Sequence, residues 1–357
     1  MAFHSVYTIF VAMKRWTMIG MLTAWAVGAL AATDSLGVVR LNKQRYFKQD
    51  VPAGNYSGLT PIGEGRYAVV SDKSATDGFF VFEIAVDSVS GKVERVRNLG
   101  FRTDGAKNRD TEAIVFLPQT QTLMLAGEAD GKVVEYDLQG RRTGRVLDVG
   151  ATLKGWTGNY GLESLAYNEK TGMMWACAES TLKEDGERST SVNGVRNRIR
   201  LQSFDAALNP CEQYAYLTDA PKAKKRSRQY AHGVSELLAL DDGSLLVLER
   251  EVFVAKRKIG SFVVNKIYRV KPDKSLSINA KEPLGESVSY VEKQLVASWK
   301  TNISLFGRKL ANFEGMCLGP RTADGMQTII LVADSQDQYG GILRDWFKTI
   351  LIPRGKW

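Results

Sequence analysis

Covalent and imidazole-based sites have little to work with in this sequence. Its 357 residues include three cysteines and two histidines. Cys177, Cys211 and Cys317 are too few for a disulfide scaffold and lack the C-x-x-C spacing of a structural zinc site. At most one bridge can form, and whether Cys177 and Cys211 pair is left open. Proline is scarce, nine residues against 33 glycines, so the turns are built on glycine. No Walker A sequence occurs, Gly63-Glu64-Gly65 has the form of a hairpin turn, and Ser164 stands in GLESLAY outside any G-x-S-x-G elbow. Long amphipathic helical patterns are missing, which argues against α/β folds. The net charge is +9, yet the basic residues are scattered and not gathered on one stripe, so no nucleic-acid partner is expected. The exception, Lys222, Lys224, Lys225, Arg226 and Arg228 in PKAKKRSRQY, has no interleaved aromatic platform and reads as a solvated loop.

What is there begins with an address. Lys14 and Arg15 precede an apolar run from Trp16 to Leu30, followed by the small-x-small pattern Ala29-Leu30-Ala31. This predicts a signal peptide over residues 1–32, cleaved near Ala31 or Ala32, and an exported mature domain over 33–357, periplasmic or secreted to the cell surface. The run is shorter than the roughly 20 residues of a membrane span, and no other segment is long and apolar enough to cross one. Met13 is an alternative start to Met1.

A repeat organises the remainder. Five segments share one grammar: YSGLTPIGEGRYAVVSD from Tyr56, DTEAIVFLPQTQTLMLAGE from Asp110, GLESLAYNEKTGMMWACAE from Gly161, GVSELLALDDGSLLVLE from Gly233 and NFEGMCLGPRTADGMQTIILVAD from Asn312. A small or acidic residue opens a short apolar strand, a turn follows, and a second apolar strand ends in a carboxylate, which is a β-hairpin. Further strand-like runs such as GFFVFEIAVD and GKVVEYDL come after each hairpin. Four antiparallel strands per period of roughly 50 residues indicate an all-β protein, a β-propeller of four-stranded antiparallel blades. Five blades are recognisable. The spacing stretches after Glu163, predicting insertions at Thr181–Arg196 and Ser287–Leu310 and a ring of six blades, with Val38–Tyr46 as an outer strand beside the C-terminal blade.

The hairpin geometry carries the chemistry. The residue opening the first strand and the residue closing the second lie at the same end of an antiparallel pair. The openings are Glu112, Glu163, Glu236 and Glu314, with Ser57 or Gly58 in the first blade; the closings are Asp72, Glu128, Glu179, Glu249 and Asp334. In a radial array these carboxylates converge on one mouth of the channel, where like charges are costly unless neutralised by metal, protons or cationic side chains. With His4 removed in the signal peptide, His232 is the one histidine left, so multi-imidazole sites are excluded. An all-oxygen set favours a hard cation, and Ca²⁺ tolerates irregular coordination better than Mg²⁺. The competing reading is that the carboxylates cap turns between blades. His232 precedes a first strand, near the acidic face, in reach of a proton-transfer or phosphate-contact role.

The recurring E-[GSA]-[LIM] openings, with second strands ending VVSD, LAGE, ACAE, LVLE and LVAD, resemble the phytase-like family described as having esterase-like activity of phytase. The likeness runs from about Asn55 to the C-terminus. It implies an exported β-propeller hydrolysing small anionic phosphate esters or related esters with calcium assistance. Under that reading the opening and closing acids hold the metal, Glu163, Glu236 or His232 moves the proton, and Lys73, Arg109 and Arg250 bind substrate. The first blade departs from the pattern by lacking an opening acid. Two alternatives stay open: a calcium-dependent lactonase or carboxylesterase, and a non-catalytic propeller that binds a ligand or protein.

Overall fold

In the computed structural model, which describes residues 38–156, 160–304 and 307–353, the repeats fold as five antiparallel sheets. Blade 1 comprises Tyr56–Gly63, Arg66–Ser71, Phe79–Val86 and Val93–Arg102. Blade 2 comprises Thr111–Leu117, Thr122–Gly127, Lys132–Asp137 and Arg142–Asp148. Blade 3 comprises Leu162–Asn168, Met173–Ala178, Arg198–Phe204 and Pro210–Leu217. Blade 4 comprises Gln229–Ala239, Leu245–Val254, Phe262–Val270 and Lys293–Ser304, and blade 5 contributes Asn312–Arg321, Gln327–Asp334 and Trp346–Ile352. Its outer edge is supplied by Arg40–Leu41 and Arg45–Tyr46, both antiparallel to Trp346–Ile352. The segment expected to close the ring as an outer strand does so.

The sixth blade does not form. The extra length after blade 3's second strand is a loop over 179–197, and that in blade 4 goes into longer strands and a loop over 271–292. Repeat spacing cannot separate a hidden blade from lengthened strands and loops, because both carry the same alternation of apolar residues. The signal-peptide and start-site expectations fall on residues outside those described. Among the described residues no helix is long and apolar enough to cross a membrane, and all three cysteines are free, with Cys177 and Cys317 buried and Cys211 exposed.

First strands line the channel and pack on one another around the ring. Between successive blades lie apolar layers, such as Met124, Leu165 and Met174 between blades 2 and 3 and Leu237, Val247 and Tyr216 between blades 3 and 4. A large-to-small change in such a layer costs about 2–5 kcal/mol. The inner strands approach closely enough to demand glycine at Gly233, where a Cβ would meet the Glu179 carbonyl oxygen at 1.9 Å. Blade 4's second strand is buried along its whole length, so its charged residues Glu249, Arg250 and Glu251 must each be satisfied internally.

Candidate active site

Every first strand carries a bulge, and the bulges define the site. The register skips Ser57, Glu112, Glu163, Ser235 and Glu314, each facing the second strand of its own blade without a direct partner. A bulge re-aims one side chain, and here it gives the true opening ring: serine in blades 1 and 4, glutamate in blades 2, 3 and 5. The same register fixes the closing ring. Asp72, Glu128 and Glu179 directly follow the second strands of blades 1–3, Asp334 ends that of blade 5, and in blade 4 the equivalent residue is Arg250, paired to Gly233. Blade 4 is therefore one residue out of step with its sequence reading. Glu236 and Glu249 each neighbour a ring position, and a one-residue offset in a strand turns the side chain to the other side.

Glu236 accordingly leaves the acidic mouth. It lines a separate cavity of about 320 Å³ with apolar walls, including Leu59, Ile114 and Met316, and accepts the N–H of Leu237 at 2.9 Å. Burial pushes its carboxyl well above the ordinary range, opposed by these backbone bonds. Glu249 turns between blades 3 and 4, where Lys293 meets it at 2.6 Å and Tyr216 donates to it. His232 lies in the same cleft as Glu249 and Lys266. Its Nδ1 lies 2.9 Å from Ser189 Oγ, and burial lowers its pKa to about 4, helped by Lys266. Arg109 is committed to Asp77 at 2.6 Å and Asp130 at 3.1 Å and does not line the acidic cavity. These four were expected at the mouth, and the structure sets them apart from it.

The remaining acids converge. A cavity of about 580 Å³ is lined by Asp72, Glu112, Glu128, Glu163, Glu179 and Glu314, together with Asp110, Lys73 and Arg250. Asp334, fully buried, stands behind them and receives the Gln336 N–H at 2.7 Å. Burial, reinforced by mutual repulsion, raises the carboxyls of Glu112 and Glu163 well above the ordinary range. Burial raises Asp72 to about 7, against the pull of Lys73, and Glu128 to about 7, against a 2.7 Å bond from the Gly161 N–H. Arg250 is the cation built into the ring: it bonds Glu179 of blade 3 and Glu314 of blade 5, and donates to Asn312 Oδ1 at 3.0 Å. The expected convergence of carboxylates thus forms, with an arginine in place of one of them.

Asp72, Asp110 and Glu112 each bring one carboxylate oxygen within 4.8 Å of the others. Two oxygens on opposite sides of a Ca²⁺ stand about 5 Å apart, at 2.3–2.6 Å each, so the three oxygens are close enough to share one hard cation. Asp72 Oδ1 is buried without a hydrogen-bond partner among the described residues, an orphaned oxygen of the kind a hard cation satisfies. Lys73 reaches the same trio from the rim, 2.8 Å from Asp72 and 3.0 Å from Asp110. Asp110 was not singled out from the sequence, where it precedes its strand instead of opening it. The available signal was the Asn or Asp just ahead of the opening in blades 1 and 2: Asn55 and Asp110 both have positive φ, 49° and 59°, which short polar side chains tolerate. Tyr160, Arg228 and Tyr230 also line the cavity and were missed because they lie in or beside inter-blade connections.

No curated protein matches the chain. Among solved structures, a thermostable family-43 glycoside hydrolase is 10% identical over 86% of this chain and 92% of its own, with a TM-score of 0.42. A streptogramin B lyase is 11% identical over 88% and 98%, with a TM-score of 0.35. A hydrazine synthase of Kuenenia stuttgartiensis is 9% identical over 86% and 90%, with a TM-score of 0.36. Similarities this distant carry no argument about chemistry. The model of the phytase-like family, described by esterase-like activity of phytase, matches residues 51–336, and with most of the chain covered, the protein belongs to that family.

Proposed function

We propose that the acidic mouth is a calcium-assisted phosphomonoesterase site. The observation that carries the reading is the trio Asp72, Asp110 and Glu112 with the unpartnered Asp72 Oδ1, inside a cavity that also holds fixed cations. Asp72, Asp110 and Glu112 would hold Ca²⁺, which when bound supplies charge neutralisation and a Lewis acid for phosphate oxygens. Lys73 and Arg250 face the same space and orient the phosphoryl group. Glu163, at the cavity wall with a carboxyl that burial raises well above the ordinary range, is the carboxylate that would take a proton from the attacking water.

The test is phosphate release from a monoester panel by the purified protein, with calcium, with chelator, and with Glu112→Gln and Glu163→Gln. Activity that needs calcium and falls at least a hundredfold in both variants supports the assignment. Calcium-independent turnover, or full activity in Glu163→Gln, overturns it. A lactone and a carboxylester in the same panel separate a phosphatase from the other hydrolases of this scaffold.

A further inference from the structure

Blade 4 is taller than the others at the acidic end. Elsewhere the second strand stops at or just before the closing position. In blade 4 it runs on from Arg250 to Val254, paired to Gln229–Gly233 on one side and to Phe262–Asn265 on the other. Four residues at about 3.3 Å each raise a wall of about 13 Å above the acidic ring. Strand alternation sorts its faces: Arg250, Val252 and Val254 line the large cavity, while Glu249 and Glu251 face the cleft behind. Val252 and Val254 pack with Leu343 into one apolar cluster bordered by Ala231 and Tyr339. Tyr160 completes the wall, its hydroxyl donating to the Tyr230 carbonyl oxygen at 3.3 Å, while the Tyr230 side chain turns to the cleft behind and donates to Glu251. Arg188 lies over the Tyr160 ring, 4.1 Å from its centroid.

The cavity therefore has two chemistries: a carboxylate and cation floor, and an apolar, aromatic side. Its cations are few. Lys73 and Arg250 are engaged by carboxylates, and Arg228, over the Tyr339 ring, is the lining cation without a carboxylate partner among the described residues. A ligand carrying many phosphates would set most of them against carboxylates or valines. Resting on the phosphomonoesterase reading above, we propose that this pocket takes phosphate monoesters of flat, apolar alcohols, aromatic ones above all, in preference to polyphosphorylated polyols. The phosphoryl group sits on the floor and the alcohol part lies against Tyr160, Val252 and Val254. In the reaction, water forms the new P–O bond and gives its proton to a carboxylate. The ester P–O bond breaks with its electron pair on the alcohol oxygen, which takes up the proton the carboxylate accepted, releasing inorganic phosphate and the alcohol and restoring the carboxylate.

The experiment compares kcat/KM for benzyl phosphate, glycerol phosphate and inositol hexakisphosphate in calcium, the first two having alkyl leaving groups of similar intrinsic reactivity. Benzyl phosphate is expected to lead glycerol phosphate at least tenfold. Tyr160→Ala and Val252→Thr are each expected to shrink that ratio several-fold, mainly through KM. A ratio near one, a ratio unmoved by both variants, or a preference for inositol hexakisphosphate overturns the proposal. If no ester is turned over, the phosphomonoesterase reading fails on its own. The wall is then judged by calorimetry: benzylphosphonate binding at least tenfold tighter than methylphosphonate supports it, and equal or no binding overturns it.

Discussion

Replacing Asp334 by asparagine is expected to make the metal-free protein relatively more stable as the pH rises, although a buried, hydrogen-bonded residue is being changed. Asp334 is fully buried, and burial raises its carboxyl from 3.8 to about 6, even though the Gln336 amides hold its charged form. The raised value fixes the sign. The carboxyl contributes stability below its unfolded pKa, and that contribution is lost as the pH climbs through about 6. At 1.36 kcal/mol per pKa unit, ionisation costs the folded state about 3 kcal/mol once complete. Asparagine carries no charge and escapes that cost. It keeps an acceptor for the Gln336 N–H, and loses a 3.5 Å contact from Asn312 and a side-chain bond from Gln336, a constant penalty of about 1 kcal/mol. Between pH 4.5 and 8 the variant should gain about 2 kcal/mol on the native protein. Urea unfolding in chelator, followed by tryptophan fluorescence at both pH values, measures this. Parallel pH profiles, or a variant that loses ground at pH 8, would refute the claim that the acidic ring is strained by its own charge. The same change should weaken calcium binding, because the charge that costs the apoprotein stability also attracts the cation.

Two further perturbations probe the surroundings of the ring. His232, with its pKa lowered to about 4, contributes stability above its unfolded value of 6.5 that is lost as the pH falls towards 4. His232→Asn should therefore gain about 3 kcal/mol on the native protein between pH 7 and 4, and an unchanged acid limb in urea titrations would contradict this. Arg200 makes two 2.7 Å bonds to the buried Asp185 and donates to the Glu282 carbonyl oxygen, tying the 179–197 loop to the 271–292 loop. Arg200→Met leaves Asp185 without its cation and should cost about 3–5 kcal/mol, with new protease cuts in both loops. An unaltered digestion pattern would show that the loops are held by other contacts.

The propeller was legible because a hairpin that opens and closes on polar residues repeats along the chain, and periodicity survives even when the spacing stretches. Blade count was not, since the added length lies in the strands of blade 4 and in loops. The site was legible as a ring of acids and illegible at one blade. GVSE reads as an opening acid and LVLE as a closing one, yet aligning Gly233 with Gly161 places Ser235 opposite Glu163's position, and the strand continuing past Glu249 puts Arg250 where a carboxylate stands elsewhere. A bulge decides which residue of an adjacent pair turns inward, and a bulge is a property of pairing that single-strand patterning does not display. Asp110 and Tyr160 come from inter-blade connections, where the apolar alternation that marks the strands gives no sign of them.

Blade 5 takes its outer strands from residues 40–46 and its other three from residues 312–352. The last sheet therefore cannot assemble until nearly the whole chain has been made. Blades 1 to 4 can zip locally as they emerge, but their ends stay apart, with Asn312–Arg321 and Tyr56–Gly63 still to meet. Contacts separated by some three hundred residues are slow to find, so the rate of reaching the native state should be governed by one late, long-range docking event. Until that event the acidic ring is open on the side between blades 5 and 1, where Asp72 and Asp334 face each other across the seam. The cation trio of Asp72, Asp110 and Glu112 comes together at blades 1 and 2 before that event, and ring completion brings Asp334 up to Asp72, so the full acidic mouth exists only in the finished molecule.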